Sequence, residues 1–386
     1  MKKLSAFRKI WLIRHADRAA RRRFDEIARR KAKHSGQTYR RVTGYWQGRK
    51  QRIWVSAQPR PMPRLLCFDQ NFEETVTFLS GLGRTLCNRY LETKNKIRAK
   101  RSPIRWYDFG QLAEVSPGAG LVVAAEFDRS RILTQTRQMF TIDMHKWQPQ
   151  PRRMLLSLGL LPLLGIDAAL EEPDEAQLIV RFRSDTGVAM AVASDTLQEV
   201  INLAASAALI GVGQDVLHQF RTFLAAIGEA LNNTSDHAYP QALDTDLPNV
   251  GRWWITGAVD PTARRLTFAV YDQGVTIPRA IPYGQSHDRV RRFVRMLAGR
   301  GYNSDDTSLD GHAIAAAVRI GASGTGLAHR GRGLGLMRDY IKGERTGRLR
   351  IVSRNGDFVA CTGCKDEYRT RSVALNGTYV EWIVDL

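Results

Sequence analysis

Glycines concentrate in a short segment near the carboxyl end of the chain. Six of them lie within residues 321–335, where an overall content of 32 in 386 would place about one. Gly331-Arg-Gly333-Leu-Gly335 then runs into an apolar stretch that predicts a helix. Backbone N–H groups ahead of a helix, together with the positive end of its dipole, can hold phosphate oxygens. No strong strand directly precedes the segment and no βαβ unit follows, so it predicts a phosphate-binding loop outside the Rossmann class.

A second candidate element runs from Gln214 to His237, where the spacing predicts a helix. Its apolar side recurs at steps of three and four, at Val216, Phe220, Phe223, Ile227 and Leu231. On the other side, Glu229, Asn233 and His237 are four residues apart and share a face, since four residues turn a helix by about 400°. An amide oxygen suits Mg²⁺, and a carboxylate one turn earlier can orient or deprotonate water. The face predicts a metal–phosphate site, with an ordinary solvated face as the alternative.

A third segment is a strongly apolar run that ends at an aspartate. Residues 268–278 read Phe-Ala-Val-Tyr-Asp-Gln-Gly-Val-Thr-Ile-Pro, which predicts a strand ending at Asp272 and then a turn. A buried carboxylate at a strand end can accept a hydrogen bond from the exocyclic amine of adenine. Gly274 would let the backbone approach the ring closely. The alternative is an ordinary Asp-x-Gly turn.

The order and spacing of these motifs resemble those of the GHKL (Bergerat-fold) ATPases, the superfamily of gyrase B, the ninety-kilodalton heat-shock chaperone and histidine kinases. Asp272 comes 39 residues after Asn233, and Gly331 comes 59 residues after Asp272. Leu375-Asn-Gly-Thr378, ahead of the last predicted strand, agrees with the Gly-Thr of that family. The resemblance covers residues 171–386. It implies an α/β fold, a two-layer sandwich with a mixed sheet, that binds ATP under a flexible lid.

The resemblance also implies roles for individual residues. Asn233 would chelate Mg²⁺, and Glu229 would be the catalytic base. The other nucleotide contacts that it implies are Asp272, Gly274, Gly331, Gly333, Gly335 and Thr378. We also expect contacts from His237, on the same helix face as Asn233, and from Arg330, which could meet the γ-phosphate. The lid would be formed by roughly residues 275–330. One departure is Thr276, which stands where the family has the second Gly of Asp-x-Gly-x-Gly and so affects the lid hinge rather than the adenine contact.

Together these features lead us to expect an ATP-binding, ATP-hydrolysing regulatory protein. The alternatives are an anti-sigma-factor-like serine protein kinase and a non-hydrolysing, ATP-gated binding module. A sensor histidine kinase fits poorly, because His218 lies 15 residues before Asn233 on the same predicted helix. The GHKL members that hydrolyse ATP clamp as dimers, so a homodimer is compatible with this interpretation.

Residues 53–170 predict a smaller α/β domain that precedes the ATPase-like one. Arg64–Phe68 predicts a strand and Phe72–Tyr90 a helix. The stretch 106–127 resembles the STAS domain of anti-sigma-factor antagonists, in which a strand ends at a phosphorylatable Ser and a helix follows. Pro117 stands at the acceptor position, directly after a serine, so the resemblance implies a retained scaffold rather than a phosphorylation switch. We expect the nucleotide state to control this STAS-like domain and the basic arm formed by residues 1–52.

Positive charge concentrates in residues 1–52, the basic amino-terminal arm. The first 50 residues hold 17 Lys and Arg against three acidic residues and so contribute +14 of the net +20. Clusters such as Arg21-Arg22-Arg23 can lay cations along a nucleic-acid backbone. The arm could equally bind an acidic protein partner or remain a solvated face. Trp11–Ala16 is similar to the Leu-x-Arg-His motif of histidine phosphatases, but the second His and the carboxylate of that family have no matching context here.

The remaining features concern membranes and cysteines. The longest apolar stretch, 154–170, is interrupted by glycine and proline and falls short of the ~18 residues that a span needs. We therefore expect no membrane partner and a cytoplasmic protein.

Four cysteines make no disulfide framework at this length. Cys361-x-x-Cys364 is half a zinc site at most, or two reduced thiols in a turn.

Overall fold

The computed structural model describes most of the chain from residue 39 onward. The described residues are 39–46, 49–94, 106–135, 141–165, 178–211, 220–284, 287–322, 333–343 and 346–386, with Trp11, His15, Ala16, Ala19 and Glu26. Most of the predicted basic arm therefore lies outside the described residues. The end of the predicted lid and the predicted boundary near residue 170 lie outside them as well.

Helices and strands alternate along the chain, which confirms the mixed α/β class. The helices are α1 (Phe72–Lys94), α2 (Pro117–Thr134), α3 (Pro149–Leu158), α4 (Leu160–Leu163), α5 (Met190–Ser206), α6 (Arg221–Asn233), α7 (Ile277–Ala280), α8 (His287–Ala298), α9 (Asp310–Ala322) and α10 (Gly333–Gly343). The strands are β1 (Tyr39–Trp46), β2 (Arg49–Ser56), β3 (Leu65–Leu66), β4 (Glu114–Val115), β5 (Thr141–Ile142), β6 (Leu178–Ile179), β7 (Arg183–Asp185), β8 (Trp253–Asp260), β9 (Arg265–Asp272), β10 (Gly347–Cys361) and β11 (Glu367–Asp385). Among the described helices, none has the length and apolar character to cross a membrane.

The largest sheet has the strand order β10-β11-β9-β8-β6, and β7 also pairs with β8. Every pairing among these described strands is antiparallel, so the prediction of a mixed sheet is wrong for this part of the chain. Short connections explain two of these pairs. Residues 261–264 join β8 to β9, and residues 362–366 join β10 to β11. Connections this short make hairpins, whereas parallel neighbours need a long crossover.

Helices cover both faces of this sheet. Successive strand residues point to opposite faces, and on β9 Leu266, Phe268 and Val270 face a front layer made of α5, α6, α9 and α10. Ala269 and Tyr271 face a back layer made of α1, α2 and α3. The sheet and the front layer come from residues 171–386, which agrees with the predicted sandwich of one sheet and one helix layer, and the back layer makes the complete architecture α/β/α. The physical signal was present in β9, whose nearly continuous apolar run is typical of a strand buried on both faces.

The helices of the back layer, α1, α2 and α3, lie within residues 53–170 and share one hydrophobic cluster with the sheet. Helix α1 confirms the helix predicted over Phe72–Tyr90 and continues to Lys94. The strand predicted over Arg64–Phe68 is reduced to β3, which pairs in parallel with β4. Helix α2 begins after Ser116, whose Oγ accepts a hydrogen bond from Ala119 N at 3.3 Å and so caps the helix.

Helix α2 carries buried ionisable side chains onto the back of the sheet. Glu126 Oε1 accepts hydrogen bonds from Tyr271 Oη and from Gln273 Nε2, both at 3.1 Å. Its other oxygen, Oε2, pairs with the buried guanidinium of Arg129. Burial raises the pKa of Glu126 against the opposing effect of Arg129 and the two donors. These bonds fix α2 to the end of β9.

Much of the predicted lid is packed helix. Helices α7, α8 and α9 lie within it, and α8 packs on α9 through a small cluster that includes Val290, Val294 and Ile320. Helix α9 also contacts β10 and β11, so it belongs to the front layer. The part of the predicted lid from residue 323 to 330 lies outside the described residues.

Candidate functional site

The end of helix α6 meets the end of strand β9 at the front of the sheet. Asn233 is the last residue of α6, and Thr234 follows it. Thr234 Oγ1 donates to Ala230 O at 3.1 Å and lies 3.4 Å from Asp272 Oδ2. The fold thus brings Asn233 and Asp272, which are 39 residues apart in the sequence, to one place.

Asp272 is a buried carboxyl group at the floor of this site. Its Oδ1 accepts a hydrogen bond from Gly274 N at 2.8 Å. Burial raises the pKa of Asp272 to about 7, and the bonds from Gly274, Thr234 and the backbone of Thr378 only partly oppose that effect. A carboxyl group with such a pKa can change its ionisation, and therefore its hydrogen-bonding role, near neutral pH.

Two glycines allow the backbone to close around Asp272. A Cβ added at Gly274 would lie 2.3 Å from Ala238 O, and one at Gly377 would lie 1.9 Å from Asp272 O. Gly377 also has a φ of +94°, which glycine adopts readily. The next residue, Thr378, pairs with Asp272 across β11 and β9, and its Oγ1 lies 2.9 Å from Ser353 Oγ. The Asp-x-Gly and Gly-Thr motifs are therefore parts of one site.

The start of helix α10 lies against the polar side of α6. A Cβ added at Gly333 would lie 2.7 Å from Glu229 Oε2 and 3.1 Å from Asn233 Nδ2. Gly333 and Gly335 are both buried in the first turn of α10. The structure therefore joins the described part of the glycine-rich segment to Glu229 and Asn233. Arg330 and Gly331, also predicted as nucleotide contacts, lie outside the described residues.

Glu229 and Asn233 are polar side chains that are both affected by burial. Burial raises the pKa of the half-buried Glu229, and the charge of Asp236 adds to this, while a hydrogen bond with Asn232 opposes it. Asn233 Nδ2 is buried and has no hydrogen-bond partner among the described residues. A buried amide nitrogen without a partner is costly, and an oxygen atom of a ligand would satisfy it.

The prediction of one regular α-helix through His237 is wrong. The α-helix ends at Asn233, and Thr234–Ala238 form a π turn. A π turn is wound more loosely than an α-helix, so His237 does not continue the face shared by Glu229 and Asn233. His237 is exposed, and none of the described contacts joins it to those two residues. Its contact with a nucleotide stays a prediction.

Sequence patterns missed Tyr239 beside Asp272, and they singled out Thr276 without revealing its backbone strain. Tyr239 Oη accepts a hydrogen bond from Gln273 N at 3.0 Å and donates one to Arg252 O at 2.5 Å. These two bonds hold the turn that follows Asp272 in position. Thr276 has a φ of +78°, and its buried Oγ1 has no partner among the described residues. The departure from glycine at position 276 was visible in the sequence, but a lone tyrosine after a helix carries no such signal.

A metal ion at Asn233 would depend on its ligand for most of its coordination. Within the described ranges, no three His, Cys, Asp or Glu side chains are grouped so that they could hold a metal ion. Mg²⁺ usually keeps several waters and takes other ligands from phosphate oxygens. A single amide oxygen at Asn233 would thus supply only one of the ligands that Mg²⁺ takes.

Comparison of the chain with protein-family models, with curated proteins and with solved structures finds no match in any of the three. Any functional assignment consequently depends on the geometry of the site.

Proposed function

We propose that this protein binds Mg-ATP in the manner of the GHKL ATPases. The observation that carries the proposal is the convergence of three distant motifs at the front of one sheet. Asp272 lies beside the residue that follows Asn233, and Gly333 lies against Asn233 and Glu229. The pattern that suggested the resemblance was a matter of order and spacing, whereas this convergence is an independent, three-dimensional property.

Each part of the site has a role that suits a purine nucleotide. The Asp272 carboxylate would accept a hydrogen bond from the exocyclic amine of adenine. Thr378 would lie behind this carboxylate, and the absence of a side chain at Gly274 would leave space for the base. The N-terminal turn of α10 would donate backbone N–H groups to phosphate oxygens. Asn233 would ligate Mg²⁺, which neutralises phosphate charge when bound. His237, Arg330, Gly331 and Gly335 complete the proposed set of contacts.

Glu229 is the proposed catalytic base, which makes the protein an ATPase. It lies one helical turn before Asn233, and burial raises its pKa toward the range in which a carboxylate accepts a proton efficiently. Its Oε2 is next to the first turn of α10, where phosphates would lie. Glu229 would therefore hold and deprotonate a water without contributing much to the binding of ATP.

The back layer supports a regulatory role for the nucleotide. Residues 53–170, proposed as a degenerate STAS-like unit, contact the same strand that ends at Asp272.

We place this regulation in the cytoplasm, with the basic arm, residues 1–52, bound to nucleic acid or to an acidic protein. Deleting residues 1–38, which precede β1, should then flatten the salt dependence of duplex binding, because each phosphate contact contributes about −0.9 to the log–log slope.

Calorimetric titration of the full chain with Mg-ATP tests the proposal. Asp272→Asn should weaken binding, and Asn233→Ala should remove its dependence on Mg²⁺. Asn202→Ala is the matched control, because Asn202 lies on α5 and bonds to Gln198. Binding by both site variants equal to that of the control would overturn the GHKL assignment. Tight binding with neither hydrolysis nor phosphotransfer would instead favour the ATP-gated module, and transfer to a protein serine would favour the kinase.

A further inference from the structure

Two thiols lie together at the tip of the hairpin between β10 and β11. Cys361 is the last residue of β10, and Cys364 is in the turn that follows. Cys364 N donates to Cys361 O at 3.3 Å, which closes a four-residue turn. Gly363, the third residue of that turn, has a φ of +72°, which glycine adopts at little cost. All four cysteines of the chain are free.

The geometry of this turn suits a disulfide bond. A closed four-residue turn keeps its first and last Cα atoms within about 7 Å, and disulfides join Cα atoms about 4.4–6.8 Å apart. The side chains also lie close together, since the two thiols share a hydrogen bond, which adds to the effect of burial in raising the pKa of Cys361. Cys364 is exposed, and Cys361 is half-buried beneath it. A small oxidant can therefore reach the Cys364 thiol, and the Cys361 thiol is close enough to complete the disulfide bond.

We propose that Cys361 and Cys364 form a reversible redox site that a small-molecule disulfide oxidises. The Cys364 thiolate attacks one sulfur of the small disulfide and releases one thiol, which leaves a mixed disulfide on Cys364. The Cys361 thiolate then attacks the Cys364 sulfur, releases the second thiol and closes the protein disulfide. The protein thus gives up two protons and two electrons, and one small disulfide becomes two thiols.

The turn is also hydrogen-bonded to helix α10, so this helix lies next to any change in the oxidation state of the two cysteines. Thr362 Oγ1 donates to Ile341 O at 2.9 Å, and Lys342 Nζ donates to Cys364 O. Arg338 of the same helix pairs with Asp366 at 2.7 Å. The redox site thus holds the last turns of the helix whose first turn lies against Glu229. The redox chemistry itself does not depend on the proposed function.

The remaining cysteines provide internal controls. Cys87 is buried in α1, and burial raises the pKa of its thiol to about 11. Burial likewise raises the pKa of Cys67. Cys361 has a second cysteine three residues away that can complete a disulfide, whereas Cys67 and Cys87 have no such neighbour in the sequence, so both should remain reduced under conditions that oxidise the hairpin.

In the test, the folded chain is equilibrated in graded mixtures of oxidised and reduced glutathione, and the exchange is then quenched with acid. The protein is denatured, its remaining thiols are alkylated, and the peptides are mapped by mass spectrometry. We expect the peptide with Cys361 and Cys364 to lose two hydrogens and escape alkylation, while Cys67 and Cys87 are alkylated. Cys361→Ser should instead trap glutathione on Cys364. Cys364→Ser should react more slowly, because Cys361 is less exposed.

Two results would overturn the proposal. One is alkylation of both hairpin thiols even in fully oxidised glutathione. The other is oxidation of Cys67 and Cys87 to the same extent as the hairpin pair, which would point to unfolding rather than to a built site.

Discussion

Tyr271 and Asp272 are consecutive residues of β9 whose side chains lie on opposite faces of the large sheet. Tyr271 Oη bonds to Glu126 in the back layer at 3.1 Å, whereas Asp272 Oδ2 lies 3.4 Å from Thr234 Oγ1 in the front layer. Gln273, the next residue, also donates to Glu126. The end of β9 is therefore hydrogen-bonded to the helices of both layers through consecutive residues.

Tyr271→Phe should destabilise the fold. The hydroxyl bonds to Glu126 and to Asn376 O, at 2.6 Å, and its removal leaves buried acceptors with one donor fewer. We expect the free energy of unfolding in urea to fall by about 1–3 kcal/mol. Tyr283→Phe is the control, because Tyr283 is 61% exposed, and it should stay within about 0.5 kcal/mol of the parent. Equal stability of the two variants would show that the contact across the sheet contributes nothing.

Glu229→Gln should separate hydrolysis from binding. The substitution keeps the shape of the side chain and removes its ability to take a proton. We expect the rate of phosphate release to fall by about 10²–10⁴-fold, while the affinity for Mg-ATP changes little. Undiminished phosphate release by the variant would remove Glu229 from the role of base.

Gly333→Ala should impair the site while leaving the fold intact. The new methyl group would lie 2.7 Å from Glu229 Oε2, at the end of a flexible side chain that can move aside. Stability should therefore change little, but the methyl group would also crowd Asn233 Nδ2 at 3.1 Å. Displacement of this proposed Mg²⁺ ligand should weaken Mg-ATP binding by roughly tenfold, the equivalent of about 1.4 kcal/mol. Gly343→Ala at the other end of α10 is the matched control, since a Cβ there meets nothing within 4 Å. Indistinguishable affinities for the two variants would contradict this geometry.

Thr276→Gly should stabilise the protein, unlike most glycine substitutions. Thr276 is held at a φ of +78° with a buried hydroxyl group that no described residue satisfies. Relief of strain worth about 1–3 kcal/mol should outweigh the extra backbone entropy of glycine. We expect a net gain of about 1 kcal/mol in urea unfolding. Thr262→Gly, at an exposed turn, should give a loss, and a loss at position 276 as well would refute the strain.

The pKa of Asp272 predicts a pH dependence with a definite sign. Its carboxyl ionises near 3.8 in the unfolded chain and at about 7 in the folded one. Between these values the unfolded chain releases a proton that the folded chain keeps, so stability that is fully present below pH 3.8 is lost as the pH rises through about 7. Relative to Asp272→Asn, the parent should lose on the order of 4 kcal/mol over this range, at about 1.36 kcal/mol per pH unit. Parallel stability curves for the two proteins, measured by urea unfolding, would contradict the raised pKa.

Local motifs were the predictable part of this molecule, and the arrangement of layers was not. The Asp-x-Gly turn and helix α1 follow from the sequence, because each depends on neighbours in the chain. The three layers depend on contacts between distant segments, such as Glu126 with Tyr271, 145 residues apart. The π turn at Thr234 was likewise hidden, since it arises where the hydroxyl of a buried threonine lies between Ala230 O and the Asp272 carboxyl.

The shared packing of the back layer limits how the chain can be divided. Without residues 53–170, the buried rings of Trp254, Tyr271 and Tyr379 would lie on a bare sheet. An apolar surface of that kind promotes aggregation in an isolated fragment. A gene fusion that moved the carboxyl-terminal half alone would therefore expose this surface and lower the solubility of the product.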